Sequence, residues 1–268
     1  MKISATIVTL NEERNIARAM GSLKPCVDEI VVVDSGSSDR TREIAEELGA
    51  RVVREDWRGY AGQKNFAAGC AAHDWILSID ADEELTPGLV AEIQALRAAG
   101  DHHSGFGGWM MPRCARYLGR WIRHSGWYPD RKIRLYHRGR GAWKGERVHE
   151  SVEVKGAVGE LRSDLLHFTC DSLHQHLLTI DRYTSLAAQE IAESGTPARF
   201  RRLMVDPPWA FIRSYFFQLG FLDGGHGFVI AAMAGFYTFL KYAKAREMSH
   251  ASGESPTAGP KPHPTTGK

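Results

Sequence analysis

The stretch ILSIDADEEL, residues 76–85, runs from apolar side chains straight into carboxylates. Asp80 and Asp82 are spaced Asp-x-Asp. Alternate residues of an extended segment point the same way, so the two can share one hard divalent cation, Mg2+ or Mn2+. Such a cation keeps some of its water and binds the phosphates of a substrate. An isolated Asp-x-Asp also suits a solvated loop. This one directly follows what reads as a buried strand, and other apolar runs end in polar groups at matching places. Thr9, Leu10 and Asn11 close one run and Asp34 closes another. In an open α/β sheet, ligands bind at the carboxyl ends of the strands, so these groups are expected to face one crevice. Glu83 and Glu84 read as first-turn acids of the next helix and are left out of the cation site.

The elements that would position these groups follow from pattern. Residues 3–10 form a short β-rich run, and Asn11 reads as a helix cap with Glu12 and Glu13 in the first turn. Residues 29–34, EIVVVD, form a second strand. Residues 35–38 turn, Asp39 caps a helix, and Gly49 ends it. Residues 50–54 and 75–80 read as a third and a fourth strand, with a helix over 63–72 between them. Thr86 at N-cap and Pro87 at N1 open the next helix. Strands alternating with helices predict an α/β fold with a mostly parallel central sheet and flanking helices.

After Gly100 the texture changes. Residues 101–108, DHHSGFGG, read as a loop, and residues 109–168 as aromatic, basic strands with long loops. From Ser172 the pattern is helical. The final stretch, SHASGESPTAGPKPHPTTGK, is too rich in Pro, Gly, Ser and Thr to bury a core and is expected to be disordered. The domain reading is therefore 1–170, in halves 1–100 and 101–170, then a helical segment 171–247 and a tail 248–268. The 268 residues are 43% hydrophobic, enough for a sizeable core, and the formal charge of +2 says little about partners. Cys26, Cys70, Cys114 and Cys170 form no CxxC pair, and the first residues, MKISATIVTL, read as a strand rather than a signal peptide. Reduced thiols in a cytoplasm are expected.

The order TIVTLNEERNI, EIVVVDSGSSDRT, GYAGQKNFA and WILSIDADEEL resembles the inverting family 2 glycosyltransferases of the GT-A (Rossmann-like) fold, over about the first 95 residues. The basic segment YPDRKIRLYHRGRGAWKGERVHESV and the GFLDG stretch make the chain most similar to small bacterial lipopolysaccharide-core glycosyltransferases, the LgtF and WaaE type. That resemblance implies a nucleotide-sugar donor, such as UDP-glucose, a divalent cation, and inversion. It implies that Thr9, Leu10, Asn11 and Glu12 line the base and ribose, that Asp34 contacts the uracil or ribose side, and that Asp39 braces its loop. Gln63, Lys64 and Asn65 would sit by the nucleotide, with Lys64 towards the diphosphate. Asp80 would touch the ribose or a metal-bound water, and Asp82 would hold the metal.

An inverting transfer needs a carboxylate to take the acceptor's proton. Two candidates lie in the second half, Asp130 in YPDRKIRL and Glu150 in RVHESV. Glu150 is favoured because His149 beside it can orient it or the acceptor, whereas Asp130 has arginines for neighbours. Between residues 113 and 147 basic side chains far outnumber Asp130 and Glu146, and aromatics are interleaved. Aromatics stack on sugar faces and arginines fork onto phosphates or carboxylates. Arg134, Trp127 and His149 are accordingly expected at an acidic saccharide acceptor. Nucleic acid, the other partner such a stretch suits, is set aside because sugar-nucleotide motifs account for the rest.

Residues 211–222 and 228–242 are strongly apolar, separated by DGGHG and flanked by Arg199, Arg201, Arg202, Arg213, Lys241, Lys244 and Arg246. Neither reaches the roughly twenty residues needed to span a bilayer. They are expected to lie in an anionic inner leaflet, peripheral to the cytoplasmic face, where a lipid-linked acceptor would be met. A packed helical subdomain is the alternative. Two other functional classes compare poorly. A nucleotidyltransferase wants a Gly-rich loop after the first strand, where this chain has NEERN. A saccharide-binding protein without turnover has no need of Asp80, Asp82 and Lys64 together.

Overall fold

The computed structural model describes residues 1–100, 105–145, 150–193 and 200–253. The chain divides into two compact units. One comprises Met1–Arg123 and Trp127–Asp171, the other His124–Gly126 and the chain from Ser172 onward.

The first unit is built on a ten-stranded mixed sheet. Strands β1 (Ile3–Thr9), β2 (Glu29–Asp34), β3 (Arg51–Arg54) and β4 (Trp75–Asp80) lie in the order β3-β2-β1-β4, all parallel. Helices α1 (Ile16–Leu23), α2 (Thr41–Glu47) and α3 (Tyr60–Cys70) make the crossovers, and α4 (Pro87–Ala99) follows. Ile3, Ala5, Ile7, Val31, Val32, Val33, Ile76 and Leu77 are fully buried, which is why these strands read as unbroken apolar runs. Thr86 caps α4 by accepting a hydrogen bond from the Leu89 amide, with Pro87 at its start.

Beyond β4 the sheet becomes mixed. β8 (Asp130–His137) adds antiparallel to β4. Next come β6 (Phe106–Tyr117), β12 (Leu165–Cys170) and β5 (Glu83–Leu85), while β7 (Arg120–Trp121) and β11 (Ala157–Glu160) pair with β6. β8 runs antiparallel to both β4 and β6, whereas β11 and β12 run parallel to β6. A separate hairpin joins β9 (Gly141–Lys144) to β10 (Ser151–Val154).

Part of the expected loop over 101–108 is strand. Gly107 and Gly108 lie within β6 because other backbone passes close: a Cβ on Gly108 would meet the Leu135 carbonyl oxygen at 2.8 Å, and one on Gly107 would collide with that of Lys155. Residues 101–104 fall outside the described chain.

The second unit is helical. It contains α5 (Leu173–Glu193), α6 (Phe200–Ile212), a π-helical turn (Arg213–Phe217), a 3₁₀ turn (Gly220–Asp223) and α7 (Gly225–Gly253). The expected break falls earlier than DGGHG, between Leu219 and Gly224, both of which take positive φ, so Gly225 already opens α7. Asp223 anchors this corner by accepting from the His124 amide (2.9 Å) and facing its Nδ1 (3.1 Å). Residues 248–253 continue α7 rather than opening a disordered tail, and 254–268 lie outside the described chain. Among the described residues no helix is long and apolar enough to cross a membrane.

Gly227 packs so tightly on the Gly220 carbonyl oxygen that any Cβ would overlap it. Gly227→Ala is therefore expected to destabilise the second unit by about 1–3 kcal/mol, seen as an earlier thermal transition by circular dichroism.

Candidate active site

Parallel register sets Thr9 opposite Asp34 and Val8 opposite Asp80, so β2, β1 and β4 end side by side. The loops that leave these strands are knitted into a rim. Asp34 is fully buried, and its Oδ1 accepts from the amides of Gly36 (3.1 Å) and Ser37 (2.9 Å). Its Oδ2 accepts from Thr9 Oγ1 (3.2 Å) and from Ser37 Oγ. Asp34 also lines a cavity of about 390 Å³ with Gly36, Arg42, Arg54, Glu55 and Asp56.

Asn11 does not cap α1, which starts behind Asn15. It adopts φ 57° and ties two loops together: its Oδ1 accepts from the Ser38 amide (2.9 Å) and its amide donates to Ser37 Oγ (2.8 Å). The αL conformation is one asparagine tolerates. Asp39 braces the same rim, accepting from the amides of Thr41 (3.0 Å) and Glu13 (3.2 Å). The Glu12 amide donates to Thr41 Oγ1 (2.8 Å), and Leu10 stands 54% exposed. Burial pushes the Glu12 carboxyl above its ordinary value. The Asn15 amide opposes this, and the negative charges of Asp82 and Asp39 reinforce it.

The second group centres on Asp80. Lys64, from α3, places Nζ 2.8 Å from Asp80 Oδ1 and 3.3 Å from Glu150 Oε1, with the Trp143 ring 4.2 Å away. Arg134, from β8, places Nη2 2.7 Å from Asp80 Oδ2 and 2.6 Å from Glu83 Oε1. Burial disfavours the ionised Asp80, but the Arg134 guanidinium and the Lys64 ammonium outweigh it and hold the carboxyl far below the usual range. Glu83 also faces Arg113 at 3.2 Å, and Arg113 in turn grips Asp130 (2.6 Å), which Lys132 approaches to 3.1 Å.

Several expectations change with this geometry. Glu83 is no first-turn acid. It lies in β5 with no exposed surface and closes the charge chain, accepting from the Asp80 amide as well. Asp80 and Asp82 are not two positions of one extended segment, because the chain turns at residues 81–82. Both Asp80 oxygens face cations, while Asp82 Oδ2 sits 3.3 Å from His167 Nε2. Gln63 is fully buried and holds a loop: its Oε1 accepts from the Arg58 amide (3.2 Å) and its Nε2 donates to Ser35 Oγ (3.0 Å) and the Glu55 carbonyl (3.3 Å). Asn65 clamps the β9–β10 hairpin, pairing with both backbone groups of Trp143 at 2.9 Å each. Arg134 belongs to the charged centre rather than to an open acceptor surface. Trp127 packs edge-on against Tyr117 (5.4 Å), and His149 lies outside the described residues.

The basic stripe is largely neutralised by acids from other parts of the chain. Arg123 pairs with Asp164, Arg131 with Glu160, Arg138 with Asp74 and Lys144 with Glu153. Arg138 and Arg140 also donate to the carbonyls of Ala71 and Phe106. The inference of an acidic acceptor from sequence-local charge loses its footing, since most of these cations are structural. Glu83, His167 and Trp143 are the site residues that pattern missed. Trp143 was one aromatic among many, and His167 sits in a strand, LLHFTC, that looks ordinary.

The Glycosyl transferase family 2 profile matches residues 4–152. A lipopolysaccharide core biosynthesis glycosyltransferase, LpsC of Rhizobium meliloti (strain 1021), is 36% identical over 91% of this chain and 92% of its own. An uncharacterised glycosyltransferase of Rickettsia felis is 35% identical over 92% and 90%. Among solved structures, S. aureus TarS 1-349 aligns over 95% of this chain and 92% of that one, at 16% identity and a TM-score of 0.45.

Two measurements probe the charge chain. Removing Glu83 takes a carboxylate from the buried Arg134 and the acceptor from the Asp80 amide, so Glu83→Ala is expected to cost about 3–5 kcal/mol by denaturant unfolding. Glu84→Ala, whose partially exposed side chain only approaches Arg18 at 3.6 Å, is expected to cost less than about 1 kcal/mol. The Asp130 carboxyl is also below its ordinary value, because Arg113 and Lys132 outweigh the cost of its burial. A depressed carboxyl stabilises the fold above its unfolded value, and that stability is lost as pH falls through the folded value. The unfolding midpoint is expected to be level above about pH 5 and to fall steadily below about pH 4. Asp130→Asn should flatten part of that slope.

Proposed function

The chain belongs to glycosyl transferase family 2, and on that premise we propose that it moves a hexose from a nucleotide sugar, with inversion, onto a lipid-linked acceptor of the lipopolysaccharide core. The observation that carries this reading is Lys64 held against Asp80 at the end of β4, with Asp82 one turn further on. Residues 1–100 would supply the nucleotide-sugar half and 101–170 the acceptor half. Thr9, Leu10, Asn11, Glu12, Asp34 and Asp39 form the rim for the base and ribose of a UDP-sugar such as UDP-glucose, and the cavity beside Asp34 gives that nucleoside room.

In the transfer, an acceptor hydroxyl oxygen attacks the anomeric carbon as the bond from that carbon to the diphosphate oxygen breaks. Glu150 takes the hydroxyl proton. It is favoured over Asp130, whose two oxygens face Arg113 and Lys132 at 2.6 and 3.1 Å, whereas Lys64 approaches Glu150 at Oε1, at 3.3 Å. Lys64 stabilises the charge gathering on the leaving diphosphate.

Among the described residues no three His, Cys, Asp or Glu side chains converge to hold a metal. Asp82 and His167, 3.3 Å apart, still fit as two neighbouring ligands, since adjacent positions of an octahedral site with bonds near 2.1 Å lie about 3 Å apart. A divalent cation there, Mg2+ or Mn2+, would take its other ligands from phosphates and water and offset the departing charge. Asp80, occupied by cations, serves the ribose side and Lys64.

The helical unit supports a location peripheral to the inner, cytoplasmic face of the membrane. Trp209, Phe216 and Phe217 are 53%, 55% and 68% exposed, Trp209 against Phe217 and Phe216 against Tyr215, on a stretch that also exposes Arg201, Arg202 and Arg213. Such a surface fits an anionic interface. Lys244 is not part of it, since its ammonium serves Asp181, Thr184 and Ser185.

Slow hydrolysis of one nucleotide sugar from a panel is expected with Mg2+ or Mn2+. It should be lost in EDTA and fall at least about 100-fold in Asp82→Asn. Metal-indifferent binding and turnover by Asp82→Asn at the wild-type rate would sink the mechanism. The chain is expected to co-sediment with vesicles containing about 30% phosphatidylglycerol and much less with phosphatidylcholine alone. Trp209→Ser with Phe217→Ser should abolish that binding.

A further inference from the structure

Among the described residues, Lys64 is the one ammonium held between two carboxylates that the reaction would use differently. Its side chain is 4% exposed, and it touches Asp80 and Glu150 together. The arrangement is built in. Asn65, next along α3, fastens the Trp143 backbone, so the hairpin that starts β10 immediately after Glu150 is held beside the helix that carries Lys64. The surrounding charges are balanced, with Lys64, Arg134, Arg113 and Lys132 facing Asp80, Glu83, Asp130 and Glu150. A diphosphate seated beside Lys64 draws it from a carboxylate already there.

Arg134 is the less available donor. Its guanidinium is buried and bridges Asp80 and Glu83, and withdrawing it would break two buried ion pairs at once. Lys64 has a flexible stem and its longer, weaker contact is the one to Glu150.

We propose that Glu150 and the diphosphate of the donor compete for Lys64, so that the proton acceptor stays masked until the donor is seated. While Lys64 donates to Glu150 Oε1, that oxygen is engaged and not open to the acceptor's hydroxyl. When the donor draws Lys64 away, Glu150 is released to take the acceptor's proton. Donor binding therefore precedes and enables activation of the acceptor. This rests on the reading of Lys64 as the diphosphate contact and Glu150 as the proton acceptor.

The competition has a counter-intuitive signature: disabling the proton acceptor should improve nucleotide binding. Titration calorimetry of UDP with Mn2+, and of pyrophosphate with Mn2+ as a base-free probe, would be run on the full chain. Glu150→Gln is expected to tighten both ligands about three- to tenfold. Lys64→Met, which keeps an apolar stem against Trp143, is expected to weaken both by more than about tenfold. In the Lys64→Met background, Glu150→Gln should change nothing.

Unchanged or weaker binding by Glu150→Gln, or the same tightening with and without Lys64, would overturn the competition. The underlying reading fails in a separate way. Wild-type affinity in Lys64→Met would remove Lys64 from the diphosphate, and undiminished donor hydrolysis by Glu150→Gln would remove Glu150 as the proton acceptor. Thermal melts of each variant separate these outcomes from loss of fold.

Discussion

A guanidinium buried in the middle of the sheet organises this site. Arg134 is 3% exposed, and a charge so placed is tolerated only when it is paired. Its partners come from different strands, Asp80 at the end of β4 and Glu83 in β5. Satisfying one guanidinium therefore fixes where the fourth parallel strand ends, how the chain turns at 81–82, and where β5 returns. Burial works against the Arg134 charge, yet the two carboxylates more than compensate and keep it firmly protonated.

That centre explains why the mixed half of the sheet follows the parallel half. Parallel strands deliver polar groups to a common edge, as Thr9, Asp34 and Asp80 show. They do not by themselves supply a buried cation beside that edge. β8, antiparallel to β4, carries Arg134 to it, and α3 carries Lys64. The β9–β10 hairpin, clamped by Asn65, adds Trp143, whose ring lies 4.2 Å from Lys64 Nζ. A desolvated ammonium over an indole face gains a further favourable contact.

The rim and the centre divide the polar residues by task. Asn11, Asp34, Asp39 and Gln63 mostly satisfy backbone groups of loops that would otherwise carry unpaired donors. Lys64, Asp80, Asp82, Glu150 and His167 gather charges and a ring nitrogen at the end of β4. Groups of the first kind tie the loops of the rim to one another.

Local pattern was enough for much of this. Apolar runs, Thr86 with Pro87, and Gly49 after α2 carry the first four strands and their helices, because periodicity and turn chemistry are encoded within a few residues. The same is true of the carboxylates at strand ends. Pattern misjudged Gly107 and Gly108, where close approach of another backbone is the cause, and it misjudged the Asp-x-Asp turn. It also read a basic stripe as a charged surface. The reason is distance along the chain: Arg134 meets a glutamate 51 residues away, and Lys64 meets one 86 residues away. Which acid neutralises which base is decided by where strands are brought together. The sequence thus determined the fold class and the strand ends at which chemistry gathers, and only the tertiary structure decided which of those charges are paired and which carboxylate shares Lys64.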